Sequence, residues 1–462
     1  MMSFKLVLLW TDVALWAVVV AVLGYMLRLR RDANQRATWG KVVRDPAALC
    51  AGLVLTLFVG VALLDSVHFR RGLPLAAGTT QQFYDSRTES LLEVALARPL
   101  AMRESSYSAP LATHGFHKEP IDVDGTITRD HRRLEHGGAH LADPERDWGR
   151  DVAQRVAIGL AGGLVVFGAL GALLARAGRR SALPLRPLIL TLLVIGMLVG
   201  PVVALMGHYH VFGTDRTGND VLVLALRSVR TAFVIGTLAT LATLPLALGL
   251  GVIGGYLGGW VDDAIQYLYT LLSSVPNVLL IAACVLMVQV FLDKNPELFE
   301  TGAERADLKV FLLCVILGVT GWATLCRLVR GETLRLRELD YVQAATAFGV
   351  GRVRIMLRHI VPNVMHLVLI TTVLSFSELI LYEAVLTYVG VGVDPGTSSF
   401  GSMINLSRAE MGKDPVVWWS FAAAFGFMVV LVLAANLFAD GVRDAFDPRA
   451  RGFRVGRRRA AA

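Results

Sequence analysis

Charge is scarce in this chain: 18% of its 462 residues are Asp, Glu, Lys or Arg, whereas 55% are hydrophobic and the mean hydropathy is +0.56. Soluble domains carry about 25% charged residues, so an ordinary soluble fold is excluded and a helical, bilayer-embedded protein is expected. Cysteine is scarce too. Cys50, Cys284, Cys314 and Cys326 lie in or beside apolar runs without the short paired spacing of a zinc site or a redox dithiol, and they read as small buried hydrophobes. There is no GxxxxGK[ST] phosphate loop, and the glycine-rich stretch at 254–259 has no lysine to reach a phosphate. A nucleophile, base and orienter set is also missing, so a catalytic role is not expected. Lys5 precedes an apolar run that is too long for a signal peptide and is followed by no small-residue cleavage site.

Long apolar runs are what the chain has. About 20 apolar residues in a helix cross the hydrocarbon core, and nine stretches meet that test: Phe4 to Leu27, Ala47 to Val67, Val156 to Ala175, Leu188 to Met206, Thr231 to Gly254, Ala264 to Leu292, Val310 to Leu328, Val364 to Val389 and Trp418 to Phe438. The formal net charge of +8 does not form one stripe, as a nucleic-acid footprint would; it collects beside the apolar runs. Arg28, Arg30, Arg31, Arg36, Lys41 and Arg44 place the first connection inside the cell. Arg176, Arg179, Arg180 and Arg186 do the same for the third. Alternation then keeps Arg327, Arg330, Arg335, Arg337 and the tail arginines Arg449, Arg451, Arg454 and Arg457 to Arg459 inside, with the amino terminus out and the carboxyl terminus in. The loop from Asp293 to Lys309 and the segment from His68 to Arg155 fall outside, the latter as a small extracytoplasmic domain or a partly disordered insert.

The polar loop from Asp340 to Pro362 is the strongest candidate site. Ala344, Ala345 and Ala347 permit close approach by another chain, and Gly349 is placed to end a first short helix. Val353, Met356, Leu357 and Ile360 follow the i, i+3, i+4, i+7 spacing of an apolar stripe, with Arg354 and Arg358 opposite and Pro362 breaking the pattern before the next span. Periodicity alone fits a docking element and a plain amphipathic interfacial linker equally.

With Gln343, Ala344 and Ala345 followed by Gly349 and then Pro362, the loop resembles the "EAA" coupling loop of binding-protein-dependent ABC importer permeases, and four further elements agree in order. Phe212, Gly213, Thr214, Asp215, Gly218 and Asp220 resemble an "FGTDxxGRD" element. Gly254, Gly255, Tyr256, Gly258, Gly259 and Trp260 resemble "GYxGGW". Glu383, Ala384, Gly390 and Gly392 resemble "EAxLSFLGLG", and Asp440, Gly441, Arg443, Asp444, Asp447, Pro448 and Arg449 resemble "GDxLRDxLDPR". The resemblance is to the second permease subunit of the dipeptide, oligopeptide and nickel branch, over roughly Pro187 to Arg449. Departures are Gln343 for the usual glutamate, Asn219 for arginine, and Val223 and Leu224 for a Ser-Arg pair.

The resemblance implies an all-α polytopic bacterial inner-membrane protein. Its six-helix core over 188–449 follows N-terminal helices (1–67), an insert (68–155) and an extra helix with a linker (156–187), and a basic tail (450–462) ends the chain. About three helices and the insert exceed the family pattern. It further implies a non-catalytic translocation subunit, importing peptides or related solutes, that works with a homologous permease, two cytoplasmic ABC ATPases carrying ATP and Mg, an extracytoplasmic solute-binding protein and membrane lipid, and not with nucleic acid. Gln343, Ala344, Ala345, Gly349, Arg354, Arg358 and Pro362 would carry ATPase coupling. A secondary transporter or channel, and a membrane-anchored sensor or scaffold, are the rival readings.

Glu378 and Glu383 are conspicuous acids late in the eighth run; acids at membrane depth face cavities, so both are candidates to line a translocation passageway, although Glu383 falls near the outer interface, where a structural role fits equally. Gly251, Gly255 and Gly259 have GxxxG spacing, suited to a close helix seam or to a glycine-rich turn at the membrane surface. Pro245 and Pro276 interrupt their runs and are candidate kinks. His114, His117, His131, His136 and His140 crowd the insert, but Gly137 and Gly138 break any helix that would align His136 with His140; no metal site is expected.

Overall fold

A computed structural model describes residues 4–73, 83–85, 87–123, 126–178, 183–299, 301–394 and 396–446. The basic tail, Asp447, Pro448 and the linker arginines Arg179 and Arg180 lie outside the described residues.

Strand β1 (Phe4–Val7) precedes helices α1 (Trp10–Leu29), α2 (Ala33–Arg44) and α3 (Pro46–Asp65). The insert contains β2 (His68–Arg71), β3 (Glu89–Ser90), α4 (Leu91–Ala95), α5 (Ala97–Ala101), β4 (His114–Val123) and β5 (Thr126–Arg133). Long helices follow: α6 (Pro144–Gly178), α7 (Leu185–Leu205), α8 (Val221–Leu257), α9 (Gly259–Ser274), α10 (Asn277–Lys294) and α11 (Gly302–Arg337). Then come α12 (Asp340–Ala347), α13 (Arg352–Ile355), a π turn over Met356–Ile360, α14 (Val361–Tyr388), α15 (Phe400–Glu410) and α16 (Trp419–Phe446). Among the described residues nine helices are long and apolar enough to cross a membrane, as the hydropathy reading expects.

Two boundaries differ from expectation. Phe4 to Val7 is not helical: it pairs antiparallel with His68–Arg71, Phe4 opposite Arg71 and Val7 opposite His68, so the helix starts only at Trp10. The run from Ala264 to Leu292 is not one span. Val275, before Pro276, takes an extended conformation (φ −93°, ψ 135°), and the chain restarts as α10. Proline lacks an N–H and drives its predecessor out of the helical region. Pro245, by contrast, stays inside an unbroken α8.

The fold divides into two compact units. Unit 1 comprises Met1–Val7, Val43–Thr231 and Ser398–Ala434, and unit 2 comprises Leu8–Val42, Ala232–Thr397 and Ala435–Ala462. In unit 1, α6 and α7 pack along glycines 159, 163, 196 and 200. A Cβ on Gly163 would lie 2.1 Å from the Gly196 carbonyl, and one on Gly200 would lie 2.1 Å from that of Gly159. Only paired GxxxG faces let backbones come so close. The insert is folded, with sheet order β1-β2-β3 and a separate β4-β5 ribbon.

Unit 2 is held by a buried cluster that includes Val252 and Tyr256 of α8, Ile265 and Tyr269 of α9, Trp322, Cys326 and Val329 of α11, and Val364 and Val368 of α14. Gly251 and Gly255 face α11, where added Cβ atoms would meet Val329 at 2.8 Å and Thr333 at 2.7 Å; Gly259 opens α9 and faces open space. Helix α1 docks on α11 through Asp307, whose carboxylate accepts the Thr11 N–H at 3.0 Å and the Thr11 hydroxyl.

Candidate functional site

The loop between α11 and α14 is rigid on one side and bare on the other. Val342, Ile355 and Ile360 are fully buried in the unit 2 cluster. Helix α12 ends in a Schellman motif: the Gly349 N–H donates to the Thr346 carbonyl (3.0 Å) and that of Val350 to the Ala345 carbonyl (3.1 Å). The motif requires the left-handed φ of +74° at Gly349.

Half of the expected stripe faces inward: Ile360 is buried and Met356 packs against the cluster, whereas Val353 and Leu357 are exposed. Buried positions run Ile355, Ile360, Val364 and Val368. The step of five and then four shows the cause: the π turn inserts one residue and rotates the apolar phase. Pro362 therefore does not break the helix. It sits in the first turn of α14, continuous with the π turn, where a missing N–H is tolerated. The Asn363 amide donates to the His359 carbonyl (2.6 Å) and to the Tyr341 hydroxyl (3.1 Å), tying α14 to α12.

The outward face carries Phe348 (87% exposed), Val353 (64%) and Leu357 (65%) beside the exposed Arg354 and Arg358, which are thus on the same side as the apolar residues rather than opposite. Gln343, Ala344 and Ala347 are exposed and Ala345 half-buried. Two open grooves flank this face. One, of about 560 Å³, is lined by Tyr256, Arg337, Glu338, Gln343, Thr346 and Arg352. The other, of about 840 Å³, is lined by Arg352, Val353, Arg354, Leu357, Arg358 and Pro362. Gln343 turns inward on the chain, its amide donating to the Glu338 carbonyl at 3.2 Å.

The glycine turn at 254–259 supports this surface. Gly258 and Gly259 both have positive φ, which reverses α8 into α9. The reversal brings Asp262 against Arg330 of α11 as a two-pronged ion pair (2.5 and 2.6 Å), braced by Gln266 at 3.1 Å. Arg337 donates to the Tyr256 carbonyl (3.5 Å). In the sequence Arg330 is legible only as a topological charge, since its partner lies 68 positions away with no local signal.

The other candidate residues are dispersed. Glu378 is exposed on α14, whereas Glu383 is buried and accepts from the Thr387 hydroxyl at 2.8 Å. The histidines of the insert do not converge. His114 meets the Thr113 hydroxyl, His131 the Gly115 carbonyl, His140 the Asp151 carboxylate, and His117 stacks edge-on against Tyr107. No group of three metal-capable side chains occurs among the described residues.

A second buried polar centre, in unit 1, has no local sequence signal. His210 is fully buried between Asp220 (2.9 Å) and Glu104 (3.3 Å). Burial alone would lower the imidazole pKa, but hydrogen bonds and charge from the two carboxylates outweigh it and raise it to about 9. Burial likewise acts to raise the Glu104 carboxyl. The hydrogen bond from His210 and the N–H groups of Gly137, His136 and Glu135 overcome this and hold it at about 2. The free oxygen of Asp220 accepts the Leu222 N–H at 2.8 Å and so caps α8.

Residues 247–452 match the family of binding-protein-dependent transport system inner membrane components. The chain is 32% identical over 250 residues to the oligopeptide transport system permease protein OppC of Mycobacterium tuberculosis, covering 54% of this chain and 79% of that protein. It is 33% identical over 246 residues to OppC of Haemophilus influenzae (53% and 72%) and 33% over 245 residues to OppC of Escherichia coli K12 (53% and 74%). The chain belongs to the binding-protein-dependent transport system inner membrane component family and is a multi-pass membrane permease.

Proposed function

We propose that this chain is the membrane-spanning subunit of an ATP-driven importer for peptides or related small solutes, and that the loop at 340–362 seats in a cleft of a separate ATPase. One observation carries the proposal. Phe348, Val353 and Leu357 stand exposed on a loop whose inner face is fixed by Val342, Ile355 and Ile360. Large apolar side chains held outward on a rigid base mark a docking surface. A base packed into α8, α11 and α14 would pass an ATP-driven displacement into the spans, and the work reaches the pathway only as a difference in contact between two states. ATP and Mg belong on the partner.

In this reading the amino terminus and the insert are outside, the loop and the carboxyl terminus inside, and the subunit pairs with a homologous permease and receives cargo from an extracytoplasmic binding protein. Glu378, exposed on this chain alone, faces the passageway formed with the second permease. The oligopeptide permeases among the relatives support peptides as the cargo class.

Co-purification of the intact importer tests the loop. Ala345→Trp or Gly349→Trp is expected to release the ATPase while the permease stays in the membrane; retention of the ATPase by both variants would sink the proposal. Glu378→Gln is expected to lower uptake in reconstituted vesicles at least tenfold, and unchanged uptake removes it from the pathway.

A further inference from the structure

In the importer proposed above, on which this rests, the insert has a mechanical place. The insert is stitched, backbone to backbone, onto the loop that leads into α8. The Glu104 N–H donates to the Gly218 carbonyl and the Thr214 N–H to the Ser108 carbonyl, both at 3.1 Å, and the Ser108 N–H donates to the Thr214 hydroxyl at 2.6 Å. A Cβ on Gly218 would lie 1.8 Å from the Glu104 carbonyl, so nothing larger than glycine fits beneath the insert. On the same unit, Trp419 at the head of α16 donates to the Thr214 carbonyl at 2.9 Å, and Phe116 of the insert packs edge-on against its ring at 4.8 Å.

At the centre of this junction the imidazolium of His210 is buried with two carboxylates, one from the insert and one from the cap of α8. Three consecutive N–H groups of the insert close on the Glu104 carboxylate at 2.9 to 3.0 Å. Removing one member of such a set strands a desolvated charge, so the junction holds or fails as a whole.

We propose that Glu104 and His210 are positioning residues for transport: they lock the insert to the N-terminus of α8, so that insert and helix end move as one piece during gating. The insert is then a brace built into the permease, and not a lid that swings free. Burial of the imidazole opposes its charge, and the carboxylates of Glu104 and Asp220 restore it, which keeps His210 protonated up to about pH 9. The other ionisable neighbours act elsewhere: Glu135 and His136 meet Glu104 through their backbone, and Asp151 engages Tyr209 and His140. Loss of the His210 proton opens the latch.

Three measurements test this, all with the full chain and with its four native cysteines replaced by alanine. In purified protein, the Glu135, His136 and Gly137 amides on the Glu104 carboxylate are expected to stay protected from hydrogen exchange, corrected for its intrinsic pH dependence, up to about pH 9 in the parent, and to lose protection at least one pH unit lower in Glu104→Gln, where one of the two carboxylate charges is gone. An unchanged threshold overturns the latch. In the assembled importer, Glu104→Gln is expected to lose uptake at pH 8 and to regain it at pH 6.5, whereas equal uptake at both values, or loss at both, overturns the positioning role. A Ser108→Cys, Thr214→Cys pair oxidised to a disulfide should transport within twofold of its reduced form; uptake that vanishes on oxidation and returns with reductant would mean that the insert must detach. If the parent shows no ATP-dependent uptake, the importer reading fails, while the exchange measurement still judges the latch.

Discussion

At the residue scale, Gly349 and His210 have opposite relations to sequence. Gly349 is legible because a left-handed C-terminal cap asks for glycine three residues after small helix formers, and the structure holds it at φ +74° with nothing within 4 Å of an added Cβ. Gly349→Ala is therefore expected to cost about 1–2 kcal/mol through backbone strain alone, read as a lower unfolding temperature with ATPase binding retained. His210 is illegible, since its partner Glu104 lies 106 positions away. His210→Ala is expected to destabilise the protein by about 3–5 kcal/mol, as other broken buried ion pairs do.

The pH dependence at this centre follows from the directions of the shifts. The folded pKa of His210, about 9, exceeds the ordinary 6.5, so its contribution is complete below pH 6.5 and is lost as pH rises through 9. The folded pKa of Glu104, about 2, is below the ordinary 4.5; its contribution is complete above pH 4.5 and is lost as pH falls through 2. Thermal unfolding between pH 7 and 10 should show stability falling steadily in the parent. In His210→Gln that slope should flatten.

At the element scale, period and punctuation decided most of the outcome. Hydropathy located every span because each must satisfy its own backbone in lipid. Expectation and structure part where one residue changed the phase or broke the helix: with the π turn at Met356–Ile360, Val353 and Leu357 are exposed and Ile355 joins Ile360 in the core, and Pro276 splits the sixth run. The glycine faces of α6 and α7 carry a signal legible in the sequence, Gly159-Gly163 and Gly196-Gly200 at GxxxG spacing. Gly163→Val should force the pair apart, since even a Cβ there would overlap the Gly196 carbonyl. The expected result is an unfolding temperature several degrees lower, with Gly162→Val, which faces open space, as a neutral control.

At the scale of the whole molecule, the topology is open to a direct measurement. In a background free of native cysteines, Phe348→Cys in intact cells should react with a membrane-impermeant maleimide only after lysis, and Arg129→Cys should react before it. Reversal of that order would place the loop outside and remove the coupling proposal.

The helical membrane character, the family motifs and the loop as a candidate site are written in the order of residues alone, because hydropathy and glycine punctuation are local properties that act within a few turns of chain. Which loop side chains stand bare, that Asp262 grips Arg330, and that the insert joins α8 through Glu104, His210 and Asp220 come from folding in three dimensions. Those outcomes depend on close approach between residues far apart in the chain, and a desolvated charge acquires its partner only when folding brings the two together.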